Sequence, residues 1–468
     1  MKDFRHDIIL RVIKAINVVL ISIPFIIGWM EYYSNRMYFK PFYNKGNWII
    51  ILLFAFVYSI LGRTYDAFLI SLNQVAEMIY SQALAAFFAD GLLYIVMALL
   101  IRRMPNILPL CLVFLSQISL SAIWSNLAHK WYFNFFSPKK TLVIYDMREG
   151  MEELVSEYGL SNKFSIDKVC SIDECMQNNL QVLREEKPEA IYLCGIHSRE
   201  RNVILKYCVA NAITAYVIPR IGDTLMSGAR RMHMFHLPVL RVDRYKPAPE
   251  YVFIKRLSDI VLSAVAFVLL SPIFLLTAAA IKLEDQGPVF YKQDRLTIDG
   301  RVFKVIKFRS MNVDAEKNGV ARLSTGDRDD RITKVGHFIR KVRIDELPQL
   351  INILKGDMTI VGPRPERPSI AEQYEKELPE FALRLQAKAG LTGYAQVYGK
   401  YNTSPYDKLM MDLMYIAHAS ILEDIRIILA TVKILFMPES TEGVAEGAMT
   451  AMDCESEKLR SKDNRVEH

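Results

Sequence analysis

The sequence predicts three parts in series: a membrane region of four α-helices, an α/β middle module, and an α+β domain entered through a bent apolar helix. Three observations predict it. Long apolar stretches crowd the N-terminal quarter, strand-like and helix-like runs alternate from Thr141 to about Arg244, and a last apolar run, broken by Ser271-Pro272, introduces mixed strand and helix patterns. The expected boundaries are 1–137, 138–247 and 248–438, with a polar, disordered tail over 439–468. Hydrophobic residues make up 51% of the 468 and mean hydropathy is +0.14, which suits a membrane protein. The net charge of +7 favours anionic lipid or phosphate as partner, and no nucleic-acid-binding motif is present. Six cysteines without a CxxC pair fit reduced thiols, with neither a zinc site nor a disulfide framework.

The apolar stretches run roughly from Ile8 to Met30, Trp48 to Ile60, Ala83 to Ile101 and Ile107 to Leu127. A spanning helix needs ~20 mainly apolar residues. Three stretches reach that, and the second does once extended through Leu61 and Gly62 with Arg63 snorkelling. The first lacks a small-residue cleavage site and is expected to stay in the chain. An even number of spans puts both ends on one side. Lys2, Arg5, Arg11, Lys14, Lys130, Lys139 and Lys140 slightly outnumber Arg36, Lys40, Lys45, Arg102 and Arg103 in the intervening loops, so that side is expected to be cytoplasmic. An aromatic run from Trp131 to Phe136 reads as an interfacial belt. Asp90 is the one acid within the spans, thin support for a transporter.

In the middle module, strand-like runs at Thr141 to Tyr145, Ala190 to Cys194 and Ala215 to Ile218 alternate with helix-like runs at Glu149 to Tyr158, Asp173 to Glu186 and Arg199 to Asn211. That order argues a parallel sheet with crossover helices. A dinucleotide site would put a glycine-rich turn after the first strand. Here Tyr145-Asp146-Met147-Arg148-Glu149-Gly150 stands instead, so the module reads as a degenerate Rossmann-like fold that spaces or dimerises the protein, with a homodimer expected. His197, His233 and His236 are too scattered to be ligands.

Lys255-Arg256-Leu257-Ser258-Asp259 opens the last apolar run, which ends near Ile281. About 22 residues at ~1.5 Å each reach ~33 Å, enough to cross a bilayer. Proline at 272 removes a backbone hydrogen bond, and the Ser271 hydroxyl can satisfy a freed carbonyl. A kinked span and a re-entrant helix both fit. Two β-rich runs flank Asp299-Gly300 as a hairpin would, and alternation along the second puts Phe303, Val305, Lys307 and Arg309 on one face, opposite Phe308. Lys307 and Arg309 thus point at a shared anion or lie on a solvated edge.

The chemistry concentrates in Arg340-Lys341-Val342-Arg343-Ile344-Asp345-Glu346-Leu347-Pro348-Gln349-Leu350. Pro348 suits a first helical turn, which sets Asp345 at or near an N-cap, where partial positive charge welcomes phosphate. Adjacent carboxylates beside a phosphate call for a divalent cation between them, and hard oxygen ligands suit Mg²⁺. The plain alternative is a capped surface helix. Pro363 and Pro365 stiffen the chain around Arg364, before Glu366 and Arg367, holding a guanidinium out for phosphate or a nucleobase edge. Leu422, Ile425, Leu429, Val432 and Phe436 form one helical stripe, facing a membrane surface or a core.

Lys-Arg-x-x-Asp, the apolar Ser-Pro helix, Lys-Phe-Arg-Ser-Met, Asp-Glu-Leu-Pro-Gln-Leu, Gly-Pro-Arg-Pro and Gly-Leu-Thr-Gly-Tyr-Ala-Gln-Val occur in order between about Tyr251 and Pro438. As an ordered set they resemble the bacterial sugar transferase family, the monotopic phosphoglycosyl transferases that move a sugar 1-phosphate from a UDP-sugar to undecaprenyl phosphate. Four preceding membrane helices and a Rossmann-like insert resemble its long form, which initiates exopolysaccharide, capsule or O-antigen assembly at the bacterial inner membrane, with the catalytic domain on the cytoplasmic face. The resemblance implies Asp345 as nucleophile, Glu346 as Mg²⁺ ligand and Arg340 as phosphate holder. It places Lys307, Arg309, Pro363, Arg364, Pro365 and Arg367 with the donor, and Lys255, Arg256, Asp259, Ser271 and Pro272 in a re-entrant membrane helix. Lys388-Ala389-Gly390 departs from the usual proline before the glycine. A non-catalytic membrane scaffold for polysaccharide assembly is the alternative from another class.

Overall fold

The computed structural model describes residues 2–38, 44–146, 150–157, 159–177, 180–313, 331–399 and 403–435. Residues 147–149 of the loop after the first strand, Lys40, Phe436 and the tail over 439–468 lie outside that set. The chain divides into two compact units, Met1–Pro219 and Arg220–His468.

In the first unit, α1 (Lys2–Gly28), α2 (Asn44–Thr64), α3 (Val75–Ile101) and α4 (Leu108–Phe135) each carry a stretch long and apolar enough to cross a membrane. Their outward faces keep large apolar residues such as Leu52, Phe56, Leu99 and Leu112 exposed, as lipid-facing surfaces require. Inside, polar side chains satisfy one another: the Asn17 amide donates to Gln82, Tyr58 donates to Asn17, and Ser121 donates to Gln82. Asp90 is buried in this interior with Gln117 as its neighbour.

A four-stranded parallel sheet follows, in the order β2-β1-β3-β4. Its strands are β1 (Lys139–Tyr145), β2 (Phe164–Ser171), β3 (Ala190–Cys194) and β4 (Thr214–Ile218), interleaved with α5 (Met151–Glu157), α6 (Ile172–Gln177), α7 (Gln181–Glu186) and α8 (Ser198–Ala210). The expected strands and crossover helices are present. The sequence reading lacked β2, an edge strand whose Ser165, Asp167 and Lys168 dilute its apolar pattern. The single helix-like run expected from Asp173 to Glu186 is two helices, α6 and α7, with Leu180 at φ 59° ahead of the second. Cys170, Cys175, Cys194 and Cys208 are buried in its core.

The second unit begins earlier than the expected boundary at 248. Its first helix, α9 (Ile221–Ser227), packs Ile221 and Leu225 into the C-terminal core, and a hairpin of β5 (Arg230–Met234) and β6 (Leu237–Arg241) follows. Next come α10 (Pro249–Leu269) and α11 (Ser271–Asp285), bent by 61° across Leu270. Pro272 occupies the first turn of α11, and the Ser271 hydroxyl donates to the Val268 carbonyl at 2.7 Å, the substitution expected at a proline break. Leu269, Leu275 and Leu276 at the apex are each more than 70% exposed.

The rest comprises β7 (Phe290–Leu296) and β8 (Val302–Phe308), paired as the expected hairpin, then α12 (Lys334–Lys341) and α13 (Gln349–Lys355). After these come β9 (Thr359–Val361), α14 (Pro368–Glu377), β10 (Gly390–Thr392), α15 (Tyr394–Tyr398), α16 (Pro405–His418) and α17 (Ile421–Leu435). One apolar core joins Phe274 and Ile281 of α11 to Val305 and Phe308 of β8 and to Leu350 and Ile353 of α13. On α17, Asp424, Ile427 and Ala430 face the core while Leu422 and Ile425 of the expected stripe are exposed.

Candidate active site

The basic motif at the start of α10 is a set of three clamps. Lys255 donates to Asp424 of α17 at 2.7 Å and to the Tyr415 hydroxyl at 3.1 Å. Arg256 donates to the carbonyls of Ile353 and Leu354 at 2.6 and 2.8 Å, closing the C-terminus of α13, where orphan carbonyls attract a cation. Asp259 is buried and accepts from the Thr359 hydroxyl and the Ile360 N–H, fixing β9. The apolar helix is thereby tied to both elements that carry the candidate site: α13 follows the dyad, and β9 leads to the Pro-Arg-Pro strap.

The dyad itself lies in a tight turn. Arg343 takes the left-handed conformation at φ 55°, and Ile344–Glu346 form one 3₁₀ turn before α13 begins at Gln349. Asp345 therefore sits just ahead of the helix, not at its N-cap. A non-glycine residue at positive φ beside two carboxylates is the kind of strain that active sites retain.

The strap is held from behind. Gly362 donates its N–H to the Thr392 carbonyl and Gly390 donates to the Pro363 carbonyl, so the two chains cross with no room for a side chain: a methyl at Gly390 would collide with Gly362. The Arg364 carbonyl accepts from Arg384 at 2.8 Å, and the Pro365 carbonyl accepts from Arg295 at 3.0 Å. Pro363 is buried, Pro365 is half-buried, and Arg367 is the N-cap residue of α14.

With strap and turn fixed, charges converge on Glu346. Lys307 of β8 donates to its Oε1 at 2.8 Å, and Arg364 donates to the same oxygen at 3.2 Å. Burial opposes ionisation of Glu346, but Lys307 and Arg364, with Arg343, outweigh it and hold the carboxyl below its usual range. Asp345 moves the other way. Burial chiefly, with Glu346 assisting against Lys307, Arg340 and Arg364, pushes its carboxyl up to about 6. Two neighbouring carboxylates with separated titration are a pattern of functional sites, one fixed as an anion and the other close to a proton exchange at neutral pH.

Of the candidate residues from the sequence, Lys307, Arg364, Asp345 and Glu346 thus come together, and Arg340 acts on Asp345 from the last turn of α12. Arg309 does not join Lys307. It is buried, ion-paired to Asp285 at the end of α11 and packed against Gly287. The sequence reading missed Arg384 and Asp412, a fully buried pair behind the strap. The only signal was Asp412 among the apolar residues Leu409 to Ile416 of α16.

As for Mg²⁺, the described residues hold no cluster of three metal-ligating side chains. Both cations on Glu346 engage Oε1. This donor set fits a Mg²⁺ whose other ligands are phosphate oxygens and water, the usual arrangement at phosphoryl-transfer sites.

The profile of the family described as "Bacterial sugar transferase" matches residues 250–438. A UDP-N-acetylgalactosamine-undecaprenyl-phosphate N-acetylgalactosaminephosphotransferase of Aeromonas hydrophila is 39% identical over 232 residues, 49% of this chain and 54% of that protein. A UDP-glucose:undecaprenyl-phosphate glucose-1-phosphate transferase of Caulobacter vibrioides is 41% identical over 191 residues, 40% of this chain and 71% of that protein. A putative undecaprenyl-phosphate N-acetylgalactosaminyl 1-phosphate transferase of Bacillus subtilis is 45% identical over 135 residues, 29% of this chain and 74% of that protein. The match spans about half the length of the Aeromonas relative.

Proposed function

Because this chain belongs to the bacterial sugar transferase family, we propose that it transfers a sugar 1-phosphate from a UDP-sugar to undecaprenyl phosphate, releasing UMP. The observation that carries the reading is the divided dyad: Glu346 fixed as an anion under Lys307 and Arg364, and Asp345 left without a clasping cation among the described residues.

Asp345, as carboxylate, attacks the β-phosphorus of the donor. A bond forms from its Oδ to phosphorus, the bridging phosphorus–oxygen bond breaks, and UMP leaves with the electron pair. A phosphate oxygen of undecaprenyl phosphate then attacks the same phosphorus and returns Asp345 to its carboxylate form. A carboxylate approaching an anionic diphosphate in water is repelled; here Arg340, Arg343 and Arg364 lie around the dyad to offset that charge. Glu346 would hold Mg²⁺, which when bound neutralises diphosphate charge.

The acceptor is a lipid, so the site must stand at a membrane surface. The 61° bend and the exposed apolar apex of α10 and α11 favour a re-entrant helix over a kinked span. In that reading the dyad stays on the cytoplasmic side of a bacterial inner membrane, the exposed Leu422 and Ile425 rest on lipid, and the parallel-sheet module is a Rossmann-like spacer of a homodimer. Membranes carrying the protein are to be incubated with a panel of UDP-sugars, undecaprenyl phosphate and Mg²⁺. Release of UMP supports the reading; release of UDP, or of neither, rejects it.

A further inference from the structure

Around the strap, most cations already have an anion. Lys307 and Arg364 share Glu346, Arg384 gives Asp412 two N–H groups at 2.7 and 2.8 Å, and Arg295 lies 3.8 Å from Glu366. Lys408 is different. It stands one turn before Asp412 on α16, at i and i+4, so the two side chains share a face. Asp412 reaches the strap through Arg384, which holds the Arg364 carbonyl. The Lys408 ammonium feels Glu366, Arg384, Arg364 and Asp412, yet makes no hydrogen bond or ion pair with a described residue. Burial, partly offset by Glu366, holds it below the usual lysine range. A half-buried cation without a partner is costly unless an anion arrives to pair with it. Arg340 has no described partner either, but its field falls on Asp345, the end where phosphorus is attacked.

We propose that Lys408 is a donor-binding residue that holds the phosphate departing as UMP. The inference rests on the transfer reading above. A diphosphate presents two adjacent phosphates: the one at the dyad is attacked, and the other needs a cation not already neutralised by a protein carboxylate. Arg364 spends much of its charge on Glu346; Lys408 approaches the same strap with its charge unspent. Charge grows on the leaving phosphate during transfer, so a cation there stabilises the transition state more than the bound donor.

Full-length protein in lipid nanodiscs is titrated with UMP and with uridine. Wild type should prefer UMP; Lys408→Gln should lose roughly tenfold or more in UMP affinity with uridine unchanged, the size of one charge-assisted contact, and Lys408→Arg should recover most of it. UMP binding like wild type in Lys408→Gln overturns the proposal, and so does an equal loss for UMP and uridine. If that variant does not fold, a footprint on wild type decides: UMP, but not uridine, should slow acetylation of Lys408 by an activated ester, and equal labelling overturns the proposal. Wild type that releases UMP from a UDP-sugar while Lys408→Gln behaves identically removes this inference alone. Wild type that neither releases nor prefers UMP removes the transfer reading with it.

Discussion

Where α10 meets α17, Lys255, Tyr251, Tyr415 and Asp424 close on one another; at the dyad, Lys307 and Arg364 close on Glu346, and Asp345 makes no hydrogen bond or ion pair with a described residue. In the first cluster Asp424 accepts from Lys255 at 2.7 Å, from Tyr251 at 2.9 Å and from Tyr415 at 2.7 Å. Burial, then the charge of Asp424, pushes the Tyr415 hydroxyl far above its usual range, so it stays a donor. In the second, two cations crowd one oxygen of Glu346 while Asp345 beside it is pushed up to about 6. Each cluster contains an aspartate, buried in the case of Asp424 and half-buried in that of Asp345. What separates them is completeness: a saturated cluster holds elements together, whereas one that leaves the carboxylate of Asp345 unpaired among the described residues is arranged for a partner that comes and goes.

Isosteric Asp→Asn changes at the two places should break in opposite directions. Asp345→Asn should lower phosphosugar transfer by more than ~10³-fold, the scale of losing a covalent nucleophile, while raising stability. The sign follows from burial: the fold disfavours the Asp345 anion, so its penalty develops above the unfolded carboxyl range and is full above about pH 6. Removing it should gain ~2 kcal/mol in a chemical melt at pH 7.5. Asp424→Asn should instead cost ~3 kcal/mol in the same melt, because Lys255 keeps a buried charge without its counterion, with turnover per folded molecule within about twofold of wild type.

A smaller effect is expected from pH. Since Asp345 must be ionised to attack, kcat/KM should fall toward a tenfold loss per unit below about pH 6 and level off above it. Glu346 stays ionised through this window, because its carboxyl is held below the usual range. The smallest change in donor affinity, under about twofold, is expected for Arg309→Met, measured by UMP titration; its partner Asp285 belongs to the scaffold side of the comparison.

The sequence carried the dyad, the strap and Lys307 because each announces itself locally. Alternating side chains set Lys307 on a definite strand face, flanking prolines restrict Arg364, and paired acids ahead of Pro348 mark a turn. Arg309 shares the alternation of Lys307 but pairs with Asp285, and which acid lies within reach depends on how α11 packs against β8, which no local pattern announces. Arg384, Asp412 and Lys408 were silent for a related reason. Arg384 lies in another element than Asp412 and Lys408, and a lone lysine on an amphipathic helix has no periodicity to distinguish it from a solvated one. Residues 220–247 read as a continuation of the alternating module, yet α9 buries Ile221 and Leu225 in the other core, a choice made by tertiary packing.

Whether Asp345 takes the phosphosugar onto itself can be read by intact-mass and peptide spectrometry of acid-quenched protein given a UDP-sugar and Mg²⁺ but no acceptor. One added phosphosugar is expected on the peptide containing Asp345, absent in Asp345→Asn and chased away by undecaprenyl phosphate. Steady transfer with UMP release and no adduct at that residue would contradict it.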